Sequence, residues 1–122
     1  MTGRYEISVS FDGFYSFALC VGTRVLLEGG DHSTLPLCRK GIASVRINAD
    51  APLAAMGEEA AHKCPKFCVL ADGEGRFKLY LYAKNGRTVA ASPPHATAES
   101  AAELWEDIRR VAATAPCSVK SR

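Results

Sequence analysis

From Tyr5 onward the chain alternates. Tyr5, Ile7, Val9 and Phe11 fall on one side of an extended segment, with Glu6, Ser8 and Ser10 on the other. A period of two is the mark of a half-buried strand. Asp12-Gly13 supplies a turn, and Tyr15, Phe17, Leu19 and Val21 resume the alternation. Past the break at Gly22-Thr23, Val25 to Glu28 reads as a third strand, closed by Gly29-Gly30-Asp31. The pattern then changes period. Cys38, Ile42, Val45 and Ala49 recur at helical spacing, behind Ser33 or Thr34 as cap and Pro36 in the opening turn.

The second half repeats this layout. Phe67, Val69 and Ala71 share a face, Asp72-Gly73-Glu74-Gly75 turns, and Phe77, Leu79, Leu81 and Ala83 alternate. Asn85-Gly86 predicts a two-residue hairpin with both central residues at positive φ, and Thr88 to Ser92 is the third strand. Thr97 caps a helix whose apolar face is Ala101, Leu104, Trp105, Ile108 and Val111, with Glu99 near its positive end and Arg109 and Arg110 near its negative end. Both helices exit alike, through Ala51-Pro52-Leu53-Ala54-Ala55 and Ala115-Pro116-Cys117-Ser118-Val119. Pro116 follows Pro52 by the same 64 positions that separate Val89 from Val25.

The expectation is therefore an α+β fold in one domain over 1–122. It has two tandem repeats of three strands, a helix and a short tail strand, at 4–56 and 66–120, joined by a connector at 57–65. One such unit alone buries too little surface to offset its chain entropy, so the two should share a core.

Several segments also resemble a known family. Gly41-Ile42-Ala43-Ser44-Val45-Arg46-Ile47-Asn48-Ala49, Pro65-Lys66-Phe67, and Ala83-Lys84-Asn85-Gly86 ahead of Val89 are similar to motifs of the YegP-like proteins. The resemblance implies two β3-α-β units joined in a single, mostly antiparallel sheet, with exchanged terminal strands and both helices on one face. It implies no agreed activity and no cofactor, because the family is largely uncharacterised. The first repeat departs from the pattern in lacking the Asn-Gly hairpin, and the second carries Leu104-Trp105 where Asn-Gly is expected.

Charge narrows the function only a little. Fifteen Lys and Arg against thirteen Asp and Glu leave a net +2, too small to demand a nucleic-acid or membrane partner. The apolar run from Phe14 to Val21 is too short to cross a bilayer, and the first residues enter a strand pattern rather than a signal peptide, so the expected compartment is the cytoplasm. Five cysteines at 20, 38, 64, 68 and 117 are an odd number, better read as small apolar residues than as a disulfide framework.

Candidate chemistry concentrates on one strand. If Phe77, Leu79, Leu81 and Ala83 face the helices, then Arg76, Lys78, Tyr80, Tyr82 and Lys84 face away, with Arg87 just past the hairpin. Cations for phosphates and rings for bases are what open sheets use on single strands. A solvated face, with Lys and Arg stems covering the tyrosines, is the plainer reading. The matching face of the first repeat, Phe14, Ser16, Ala18 and Cys20, is uncharged. Phe14, Ala18 and Cys20 would instead make an apolar patch suited to a protein partner or a homodimer.

Other constellations carry less. His62, Cys64 and Cys68 are ligand types without the paired spacing of a zinc site. Asp31-His32-Ser33 has triad letters, but triad members converge from separate elements, and turn and cap roles account for all three. Trp105 reads as core, worth about 3–5 kcal/mol against truncation to alanine. The functional expectation is a small non-enzymatic binding or interaction module, with no cofactor and no metal. Its partner is an unidentified protein or a second copy of itself. The alternative is weak single-stranded nucleic-acid binding through Arg76, Lys78, Tyr80, Tyr82, Lys84 and Arg87.

Overall fold

The computed structural model describes residues 2–120. Its elements run β1 (Gly3–Val9), β2 (Tyr15–Val21), β3 (Arg24–His32), α1 (Leu35–Asn48), β4 (Leu53–Ala54), a 3-10 turn (Glu59–Ala61), β5 (Lys66–Ala71), β6 (Phe77–Tyr82), β7 (Thr88–Ala91), α2 (Ala98–Val111) and β8 (Cys117–Val119). Both helices start where the sequence places a threonine. The Thr34 hydroxyl accepts from Leu37 N at 3.3 Å and the Thr97 hydroxyl from Ser100 N at 3.1 Å. Each satisfies a first-turn N–H that has no partner within its helix.

All eight strands form one sheet in the order β4-β5-β6-β7-β3-β2-β1-β8. Pairing is antiparallel except at the margins, where β4 runs parallel to β5 and β8 parallel to β1. The strand that follows α1 thus closes the β5 side, and the strand that follows α2 closes the β1 side. Exchanging strands 1–4 with strands 5–8 leaves the order unchanged. The centre is its thinnest join, since β3 and β7 share one ladder pair, Glu28 with Ala91.

A single core lies between the sheet and both helices. Tyr5, Ile7, Phe17, Leu19 and Leu27 from one side, and Phe67, Val69, Leu79 and Leu81 from the other, meet Cys38, Ile42 and Val45 of α1 and Leu104, Ile108 and Val111 of α2. Each large side chain buried this way contributes about 1.5–3 kcal/mol of transfer free energy. The inward rows of β1, β2, β5 and β6 follow from the alternation, and the helix stripes from the spacing of three and four.

Several expectations are corrected. β1 ends at Val9, and Phe11 is fully exposed in the turn that follows, because Gly13 N bonds to Ser10 O and closes the turn one step earlier. β3 does not stop at Gly29-Gly30-Asp31 but continues to His32. Those glycines mark close approach instead of a turn: a Cβ on Gly29 would sit 2.4 Å from the Phe17 ring, and one on Gly30 would sit 2.6 Å from Ser16 Cβ.

The hairpins are reversed as well. Ala83 N donates to Arg87 O, so Lys84-Asn85-Gly86 is a three-residue loop with only Gly86 at positive φ. The two-residue loop is Gly22-Thr23, closed by the Val21–Arg24 pair, with glycine first as a type II′ turn requires. Trp105 is half-buried at the rim, not in the core. Its Nε1 donates to the Ala51 carbonyl at 3.0 Å, and the Arg109 guanidinium lies 4.6 Å from its ring centroid.

Candidate binding face

The face of the sheet away from the helices is built by the other half of the alternation. On β6 it presents Lys78, Tyr80 and Tyr82, all half-buried. Their neighbours across the ladder are Leu70, Cys68 and Lys66 on β5, and Ala91 and Thr88 on β7. Residues two apart on a strand share a face, and here the result is a stacked pair: the Tyr80 and Tyr82 rings lie 6.3 Å apart at 23°. Lys78 Nζ stands 5.8 Å from the Tyr80 centroid, within cation–π range. Burial pushes the Tyr82 hydroxyl above its ordinary pKa.

The remaining stripe residues divide. Arg76 is engaged with its own turn, its guanidinium 3.1 Å from Glu74 Oε2 and 3.8 Å from Asp72 Oδ2. Asp72 also accepts from the Glu74 and Arg76 backbone N–H groups, bonds that hold its carboxyl below the usual range. Lys84 and Arg87 are exposed on the loop beyond Tyr82, and neither has an ionic partner among the described residues. Lys78, Tyr80 and Tyr82 are therefore brought together, Lys84 and Arg87 extend them at the loop, and Arg76 is held apart.

The connector was not legible as part of this face. Its 3-10 turn overhangs β5: Lys66 Nζ donates to the Glu59 carbonyl and, at 3.1 Å, to the His62 carbonyl. A hollow of about 510 Å³ remains beneath it, lined by Glu59, Cys64, Lys66, Cys68 and Tyr82. Cys68 is buried there, and burial pushes its thiol up, away from the thiolate that reactive cysteines need. Burial raises Cys20 and Cys38 likewise, and all five cysteines are free thiols.

Toward the middle of the sheet the face changes sign. A groove of about 580 Å³ follows the junction of β3 and β7, where the strands part beyond their one ladder pair. Ala18, Gly30, Thr88 and Ala91 keep it open, and Glu28 and Asp31 supply its charge. Farther on, Glu6 pairs with Arg4 at 2.5 Å, which keeps the Glu6 carboxyl low. The apolar patch expected from Phe14, Ala18 and Cys20 does not form. Cys20 is 5% exposed between Arg4 and Val25, and Phe14 lies in the turn before β2.

With the fold and this face in view, two solved structures are similar over the whole molecule. The solution structure of yegP, a protein of unknown function from E. coli, superposes with a TM-score of 0.77 and 25% identity, covering 100% of this chain and 97% of that one. The chain is YegP-like. The solution structure of a UPF0339 protein from Shewanella oneidensis gives a TM-score of 0.76 at 18% identity, covering 98% of this chain and 92% of that one, and shows the fold alone. No family model and no curated protein matches the sequence. The YegP-like relation settles the α+β class and the single, mostly antiparallel sheet. It carries no activity to this chain. No helix among the described residues is long and apolar enough to cross a membrane.

Proposed function

We propose that this YegP-like chain is a non-enzymatic binding module that holds a protein partner on its open sheet face, with Tyr80 and Tyr82 as anchor. The observation that carries the reading is the stacked tyrosine pair, half-buried on the sheet face away from the helices, between the overhanging connector and an open groove. Such rings offer large contact area at small entropic cost and dominate interface energetics. Mixed charge favours a polypeptide over a phosphate chain. Lys78, Lys84 and Arg87 flank the rings, but Glu28 and Asp31 line the groove beside them, and a continuous phosphate track would have to cross both acids.

The second reading is single-stranded nucleic acid confined to the β6–β7 end. It is favoured by Lys78 over the Tyr80 ring and by Lys84 and Arg87, which are exposed and have no ionic partner among the described residues. One pair of measurements separates the two. Anisotropy of labelled single-stranded DNA and RNA at low salt is expected to show no binding, while a polypeptide partner enriched from cell extract survives raised salt and is lost with Tyr80→Ala/Tyr82→Ala. Binding of the labelled strands that weakens steeply with salt, and vanishes in the same double variant, replaces the first reading with the second.

A further inference from the structure

The helix layer sorts its charges by sign. α1 carries Arg39, Lys40 and Arg46 and no acid, whereas α2 carries Glu99, Glu103, Glu106 and Asp107, with Arg109 and Arg110 only in its last turn. Asp107 is paired with Arg24, and Arg46 is used internally, over the Tyr5 ring and on the Ala113 carbonyl. Arg39 and Lys40 on α1 and Glu99, Glu103 and Glu106 on α2 are exposed, and among the described residues they have no ionic partner. Helices that intersperse both signs satisfy them locally through pairs three or four apart. These two do not.

Apolar features coincide with the charges. Ile47 is 80% exposed and Leu37 45%, and with Lys40 they form one stripe along α1. Beside the acidic stripe of α2 lies a hollow of about 260 Å³, walled by Leu53, Met56, Val69, Ala98 and Ala102, with Glu99 also in its lining. One helix thus offers an apolar ridge beside cations, and the other an apolar hollow beside anions.

We infer that the helix layer is a self-association surface, on which α1 of one copy lays Leu37, Lys40 and Ile47 against the hollow and the Glu99–Glu103–Glu106 stripe of a second. A two-fold axis makes the same contact twice and uses both features of each copy. The sheet face stays free, so this inference stands apart from the partner proposed there.

Sedimentation of the purified chain tests it. The wild type is expected to be a dimer at high micromolar concentration and low salt, loosening as salt rises. Ile47→Glu is expected to raise the dissociation constant by at least about tenfold. Lys40→Glu and Glu103→Lys should each weaken the dimer, and an equal mixture of the two should restore it as a mixed pair. Tyr80→Ala/Tyr82→Ala should dimerise as the wild type does. All these positions are exposed or on the opposite face, and circular dichroism of each variant verifies the fold. A wild-type monomer throughout, species growing past dimer, or a dimer indifferent to Ile47→Glu overturns the inference.

Discussion

Tyr5 shows how much one side chain can carry. It is fully buried, its hydroxyl donates to the Ala112 carbonyl at 2.6 Å, and the Arg46 guanidinium lies 4.8 Å from its ring centroid. Tyr5→Phe keeps the ring and removes the bond, so urea denaturation should show a loss of about 1–2 kcal/mol. Burial pushes its pKa up to about 12, against 10.0 when exposed. The folded state therefore holds a proton that the unfolded chain releases, and this contribution is complete below pH 10 and lost as pH rises toward 12. The alkaline loss of stability should be steeper in the wild type than in Tyr5→Phe, and thermal melts of both across that range measure it. Equal slopes would mean that Tyr5 is not what titrates. The alternation marks Tyr5 as inward-facing. Its acceptor, 107 positions away, is set by the packing of α2 on β1 and leaves no local trace. The candidate face divides in the same way: Lys78, Tyr80 and Tyr82 follow from period two, whereas the capture of Arg76 by Asp72 and Glu74 depends on how one turn closes.

At the scale of elements, helices were the more legible. A capping threonine and a stripe at three-four spacing are local signals, and both locate α1 and α2 closely. Glycine was the ambiguous letter, because it serves turns and close approaches alike. The pattern places Gly29 and Gly30 at the close of the third strand, yet they lie within β3 and let β2 and β3 approach. Gly29→Ala would drive its methyl into Phe17, and the expected cost is about 1–3 kcal/mol of stability, read from the denaturation midpoint. A neutral result would mean that Phe17 has room to move. The stripe assigns Trp105 to the core, and the structure sets it at the rim. A helical stripe does not say where its edge lies, and the indole N–H finds its acceptor at that edge. With the ring only half-buried, Trp105→Ala should cost about 2 kcal/mol, short of a core truncation.

The whole molecule is held by its exit strands. β4 leaves the first helix to pair with β5, and β8 leaves the second to pair with β1. Neither half completes its sheet or its core unaided, so Trp105 fluorescence and far-ultraviolet circular dichroism should report one coincident transition in urea. Two separated transitions would show that the halves are independent despite the exchange. The brevity of these marginal strands matters in another way. β4 has two residues and β8 three, so the outermost strand at each end of the eight-stranded sheet presents only a very short backbone ladder. A long, flat border would template the addition of foreign strands and seed fibrils. The outermost strands of this sheet give an incoming strand only two or three residues to grip, which blunts such growth.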